Sequence, residues 1–179
     1  MRFHTVTDEE IRAGRATDVY FSRTREILER RGENPRVRAE FVAKSLPDGW
    51  EWAVVAGLEE ALKLGSDLGV SARGVPEGSL FRALEPVLEI EAPYRDFCVY
   101  ETALLGFLCQ ASGVATRAAR CRLAAGDRLV LSFGARRLHP SVAGVVERAA
   151  YIGGCDGVAT VAGAERIGID PSGTMPHAL

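Results

Sequence analysis

The sequence predicts an α/β protein: an α+β first part, then the opening strands of a parallel sheet flanked by helices. Three observations predict it. Leu129-Val130-Leu131-Ser132-Phe133 is followed by a polar loop carrying Arg136, Arg137 and His139, and then by a helical stretch. Gly157-Val158-Ala159-Thr160-Val161 repeats that order, and a third polar segment, Gly173-Thr174-Met175-Pro176-His177, follows the next helical stretch. Strand, loop and helix in alternation are the pattern of a parallel sheet with helices outside. Before Gly126, short strand-like pieces mix with helices without that rhythm, which points to antiparallel pairing.

In chain order, Ala16-Thr17-Asp18-Val19-Tyr20 starts a helix, with Thr17 placed to cap the free amides and Asp18 at the positive end. It carries Ile27 and Leu28 inward and ends at Arg31-Gly32. Val37, Ala39, Phe41 and Ala43 alternate with Arg38, Glu40 and Lys44, a half-buried strand. Pro47-Asp48-Gly49 is a turn. From Trp50 to Leu64, Val54, Leu58, Ala61 and Leu62 recur at helical spacing, which predicts one helix. Gly74, Pro76 and Gly78 punctuate short strands, and Pro86 to Glu91 is another strand. Pro93 to Arg122 is the longest helical stretch, with Phe97, Leu104, Leu105 and Leu108 inward and a break at Ser112-Gly113. This divides the chain into an α+β domain over residues 1–110 and a strand–helix part over 111–179. No linker rich in Pro, Gly or Ser separates them, so they are expected to pack closely.

Composition narrows the function classes. With 179 residues, 47% of them hydrophobic, the chain can bury a substantial core. A net charge of −2 gives no electrostatic reason to expect nucleic acid. No apolar run reaches the roughly 18 residues of a membrane span. Met1 to Thr5 leads into acidic residues rather than an apolar segment, so no secretory signal is expected. Of the four cysteines, Cys98, Cys109, Cys121 and Cys155, none forms a C-x-x-C pair, and they read as buried free thiols in a reducing cytosol. His139, Cys155 and His177 lack short ligand spacing, and no metal site is expected from them.

Chemistry in parallel α/β sheets sits just past the carboxyl ends of the strands. Phe133, Arg136, Asp156, Thr174 and His177 are therefore predicted to face one cleft. Each has a structural alternative on residue chemistry alone. Phe133 can be a core aromatic, Arg137 and His139 a solvated loop, Asp156 a turn or cap residue, and His177 a structural imidazole. Glu101 reads as a partner for Arg117 or Arg120.

Four stretches, taken together in their order and spacing, resemble the nicotinate phosphoribosyltransferase family. They are Thr17-Asp18-Val19-Tyr20-Phe21-Ser22-Arg23-Thr24, Tyr100-Glu101-Thr102-Ala103-Leu104-Leu105, Ser132-Phe133-Gly134-Ala135-Arg136-Arg137 and Gly173-Thr174-Met175-Pro176-His177. The resemblance implies an enzyme that joins nicotinate to phosphoribosyl pyrophosphate, giving nicotinate mononucleotide and pyrophosphate in NAD salvage. It implies the type II phosphoribosyltransferase fold, an α+β N-terminal domain followed by an incomplete α/β barrel, in a cytoplasmic homodimer. It implies ATP coupling through a phosphorylated histidine, with ATP and Mg2+ as cofactors. A closed parallel barrel needs about eight strands and this chain offers about three. It therefore matches the first half of such an enzyme, and is either a piece of a longer protein or a chain whose sheet a second chain completes.

The resemblance also implies roles. Phe133 and Tyr20 are the walls that stack on the pyridine ring. Arg136 grips the carboxylate with two parallel hydrogen bonds. Arg137 and His139 add positive potential for phosphates, Thr174 serves phosphate or substrate, Asp156 contacts substrate, and His177 accepts the phosphoryl group. Pro176 stands before His177, where many relatives carry a small residue. Two alternatives stay open. One is a quinolinate-type phosphoribosyltransferase, whose Thr-Arg-Lys-Thr run is replaced here by Ser132 to Arg137. The other is a non-catalytic short subunit that binds a full-length partner.

Overall fold

A computed structural model of the chain describes residues 3–176. It begins with helices α1 (Asp8–Arg12) and α2 (Val19–Arg31), strands β1 (Arg36–Val42) and β2 (Ala53–Val54), and helix α3 (Leu58–Leu68). Strands β3 (Ser71–Gly74), β4 (Leu80–Phe81) and β5 (Pro86–Pro93) lead into α4 (Tyr94–Phe97), a short 3-10 turn, and α5 (Glu101–Ala125). The last part holds β6 (Leu131–Ser132), α6 (Ala143–Ile152), β7 (Gly157–Val158) and α7 (Val161–Ile167).

The first part is α+β with antiparallel pairing, as its pattern predicts. β5 lies between β1 and β3 and is antiparallel to both. Alternation sorts the two faces. Phe41, Leu88, Ile90 and Ala92 point into the core, where Phe97, Leu104 and Leu108 of the following helices cover them. The opposite face is wet and charged, with Arg36 on Glu91 at 2.9 Å and both Arg38 and Arg73 on Glu89.

The predicted helix from Trp50 to Leu64 is two elements. Ala53–Val54 is a strand paired with Phe81 and Leu80, and the helix starts only at Leu58. Gly57 makes the difference. Its φ of +81° is open to glycine at little steric cost, and a Cβ there would collide with the carbonyl of Phe107. On its other side β2 meets α5 instead of a strand. The Thr116 hydroxyl accepts the Val54 amide at 2.8 Å, and the Ser112 hydroxyl both accepts from the Ala56 amide and donates to the Ala56 carbonyl, each at 3.1 Å. This use of Ser112 leaves no break: α5 runs unbroken through Ser112-Gly113 and across residue 110. Leu104 and Leu108 face inward as expected, but Leu105 is 43% exposed. Glu101 does not pair with Arg117 or Arg120, which stack instead on Trp50, with Arg120 also over Trp52.

The 32 residues from Tyr94 to Ala125 are long and apolar enough to cross a membrane by length and composition alone. Here they are the central helical stretch of the fold, buried along Leu104, Leu108, Ala111, Ala115 and Ala118. On α2, the cap is Asp18 rather than Thr17, and Ile27 is half exposed. The Asp18 amide donates to the Thr102 hydroxyl at 3.1 Å, which ties the start of α2 to α5. Cys98 and Cys155 are buried free thiols, whereas Cys109 and Cys121 are exposed.

The second part is the predicted parallel strand–helix unit, in short form. β6 and β7 pair in parallel, Leu131 with Gly157 and Ser132 with Val158. No third strand forms among the described residues, although the Ser172 amide donates to the Val158 carbonyl at 2.8 Å and so takes the adjacent position. Helix α6 lies close on α5. Gly153 permits this, since a Cβ there would strike the Ala115 carbonyl. Arg148 of α6 reaches back to Glu59 and, at 2.6 Å, to Glu77. Glu77 in turn accepts the Leu58 amide at 2.9 Å at the start of α3. The two parts are thus packed together, as the missing linker implies.

Candidate active site

At the carboxyl ends of β6 and β7 the chain opens into a cleft of about 760 Å³. Phe133 leaves β6 directly into it. The next residues form a 3-10 turn, Ala135–Arg137, closed by the Arg137 amide on the Gly134 carbonyl at 2.9 Å. That turn sets Arg136 and Arg137 in the cleft wall. The β7–α7 loop supplies Ala159 and Thr160, and the segment after α7 supplies Ser172 to Pro176, including Thr174.

The electrostatics are simple. Two arginines line the cleft, and among the described residues no carboxylate lines it and neither arginine forms an ion pair there. Unpaired guanidinium groups in a concave site favour an anion, and their fork suits carboxylate or phosphate. Phe133 is 48% exposed, so its ring is a wall rather than a core residue. Together these groups can hold a flat anion with its charged end on arginine.

The structure brings together Phe133, Arg136, Arg137 and Thr174 of the predicted set. Asp156 is elsewhere, which corrects the expectation of one shared cleft. It precedes β7, at the amino end of the parallel pair, where its carboxylate takes Arg122 at 2.7 Å and the Val130 amide at 2.8 Å. His139 is also outside the cleft lining. Its Nδ1 caps the turn that starts α6, accepting from the Ser141 amide at 3.3 Å. Tyr20 stands on α2, 55% exposed and tilted against Phe21, away from this cleft within the one chain. Partial desolvation, and then the negative charges of Glu101 and Asp18, push its phenol pKa up. His177 lies outside the described residues.

One residue beside the site is not apparent from the sequence pattern. Glu147 of α6 is completely buried. It accepts the amides of Ala159 and Thr160, each at 3.0 Å, and the Thr160 hydroxyl. Its signal is one carboxylate on the apolar side of a helix that is otherwise Ala, Val and Gly there. Among the described residues, no group of three or more His, Cys, Asp or Glu side chains is arranged to hold a metal ion.

Known proteins resemble this chain in sequence and architecture. Residues 18–112 match the family described as quinolinate phosphoribosyl transferase, N-terminal domain. The chain superposes on a nicotinate-nucleotide pyrophosphorylase from Pyrococcus furiosus with a TM-score of 0.94 and 50% identity, over 100% of this chain and 46% of that one. It superposes on human nicotinic acid phosphoribosyltransferase with a TM-score of 0.80 and 28% identity, over 90% of this chain and 39% of the human one. It is 40% identical to nicotinate phosphoribosyltransferase of Bacillus subtilis over 104 residues, 58% of this chain and 21% of that protein. The chain thus spans less than half the length of each of these three proteins.

Proposed function

The chain belongs to the quinolinate phosphoribosyltransferase N-terminal-domain family, and from that premise we propose that it forms the amino-terminal part of a nicotinate phosphoribosyltransferase. The observation that carries this reading is the cleft itself, with a half-exposed phenyl ring and two arginines without carboxylate partners among the described residues, at the carboxyl ends of parallel strands. The name shared by the Bacillus and human relatives supports it.

On this reading nicotinate lies on Phe133 with its carboxylate on the Arg136 fork. Arg137 faces the phosphates of phosphoribosyl pyrophosphate. The pyridine nitrogen lone pair forms the new bond to the anomeric carbon of the ribose. The bond from that carbon to the pyrophosphate oxygen breaks, and its electron pair leaves with pyrophosphate. Positive charge builds on the sugar during departure, as in glycoside cleavage. Few side chains are then required, since positioning and neutralisation of the leaving phosphates carry most of the catalysis. Mg2+ would supply charge neutralisation on those phosphates. ATP coupling would fall to His177. Tyr20 would stack on nicotinate in the cleft of a second subunit, as part of a cytoplasmic homodimer or of a barrel completed by another chain.

The test is formation of nicotinate mononucleotide from nicotinate and phosphoribosyl pyrophosphate, with and without ATP. It is run on the chain alone and with the carboxy-terminal half of a relative supplied in trans. Product that is lost in Arg136→Ala is expected. Absence of product in every arm, with no nicotinate binding, overturns the reading.

The description of the matching family and the name of the Pyrococcus protein favour a second reading, a quinolinate-type pyrophosphorylase. There the two guanidinium groups of Arg136 and Arg137 would each take one carboxylate of a pyridine dicarboxylate. Running the same assay with quinolinate in place of nicotinate separates the two readings.

A further inference from the structure

Glu147 is a carboxylate with no access to water and no part in the proposed reaction. Burying such a group is unfavourable unless donors replace its hydration. Three donors do so, all from the same loop: the Ala159 and Thr160 amides on Oε1 and the Thr160 hydroxyl on Oε2. The Thr160 hydroxyl accepts in turn from the Gly163 amide at 3.1 Å, which caps α7. Position 163 must be glycine for this, because a Cβ there would collide with Glu147 Oε2. The carboxylate is therefore held by three donors of one loop.

The loop it holds is one wall of the cleft, since Ala159 and Thr160 both line it. Two consecutive amides that would otherwise be free to face a ligand are turned inward. A trans peptide points its carbonyl opposite its N–H, and no peptide among the described residues is cis. The carbonyl of the Ala159–Thr160 peptide, that of Ala159, is therefore turned away from Glu147. The Thr160 hydroxyl is likewise engaged by Glu147 and the Gly163 amide. The loop thus withdraws its amide donors and leaves the Ala159 carbonyl, which no backbone amide among the described residues takes, as its acceptor in a cleft that two arginines also line. Anionic groups belong on the arginine wall, and groups that donate hydrogen bonds belong on this one.

We propose that Glu147 is a positioning residue that sets the β7–α7 loop as the acceptor wall for the hydroxyl groups of the sugar, in the cleft that the anion-binding arginines also line. This rests on the phosphoribosyltransferase reading of the cleft. The experiment follows two signals in the full chain: hydrogen exchange of the Ala159 and Thr160 amides, and binding of phosphoribosyl pyrophosphate and of nicotinate by amide chemical shifts. Glu147→Ala is expected to accelerate exchange at both amides and to weaken phosphoribosyl pyrophosphate about tenfold, the effect of losing one to two ordinary hydrogen bonds. Nicotinate, held by Arg136, is expected to change less than about twofold, below the effect of one such bond. Glu147→Gln keeps an oxygen for both amides and turns its NH2 to the Thr160 hydroxyl, so it is expected to restore both signals.

Unchanged amide exchange in Glu147→Ala overturns the proposal. So does faster exchange with undiminished sugar-phosphate binding, or a Glu147→Gln variant as impaired as the alanine. Should Glu147→Ala fail to fold, Thr160→Val, which removes the hydroxyl and leaves the amides, carries the same comparison. A wild-type chain that binds neither ligand overturns the reading of the cleft and the ligand assignment with it, while exchange still reports whether Glu147 fixes the loop.

Discussion

Arg122 and Asp156 form an ion pair at 2.7 Å, and the same carboxylate oxygen accepts the Val130 amide at 2.8 Å. One side chain thus fastens the end of α5 to the amino ends of both parallel strands. Asp156→Ala is expected to lower stability by about 1–2 kcal/mol, given a partly exposed pair and one amide bond. Nicotinate affinity should stay within about twofold, less than one hydrogen bond. Urea denaturation and a nicotinate titration check this, and a tenfold loss of affinity would return Asp156 to the site.

With nicotinate placed as proposed, Arg136→Ala would remove two charge-assisted hydrogen bonds to its carboxylate. At roughly 1.5 kcal/mol each, nicotinate affinity should fall about a hundredfold. Arg136→Lys should recover only part of it, because an ammonium lacks the planar fork. Phe133→Leu should weaken binding by roughly 1 kcal/mol through lost stacking. Equilibrium titration of the three variants reads all of these effects.

Glu77 gives a pH dependence with a defined sign. Burial pushes its carboxyl up, but Arg148 and the amides of Glu59 and Leu58 outweigh this and hold it below the ordinary carboxylate range. In that range the unfolded chain binds more protons than the folded one, so the contribution of Glu77 to stability grows as pH rises. It is fully present above the ordinary carboxylate range and lost as pH falls through the lowered value. Glu77→Gln should cost about 2 kcal/mol near neutrality, as for a charged hydrogen bond. Wild type and variant should converge in acid, as measured by denaturation across a pH series.

Thr116 is almost fully buried, accepts the Val54 amide at 2.8 Å and donates to the Ser112 carbonyl at 2.6 Å. Thr116→Val keeps the shape and orphans that amide. The expected loss is about 1–3 kcal/mol, read by thermal or chemical denaturation.

The sequence pattern makes some of this legible and not the rest, for identifiable reasons. Alternation reveals β1 because one face is buried and the other charged. Phe133, Arg136 and Thr174 are legible because strand-to-loop boundaries in a parallel sheet mark where side chains converge. Asp156 sits at the other boundary of β7, and the same rule applied without regard to strand direction puts it on the wrong side. The stretch from Trp50 to Leu64 satisfies helical spacing at Val54, Leu58, Ala61 and Leu62. Only the left-handed turn at Gly57, required by the approach of Phe107, divides it into strand and helix. Glu147 stays hidden because two of its three donors are backbone amides, which carry no residue-type signal.

The hydroxyl contacts between α5 and β2 have one more consequence. A short strand on the rim of a sheet ordinarily displays alternate amides that a strand from another molecule can capture. At Val54 and Ala56 those amides are already occupied by Thr116 and Ser112. The helix therefore serves as a guard against intermolecular β-pairing along this rim. Replacing either hydroxyl would expose the chain to self-association as well as weaken it.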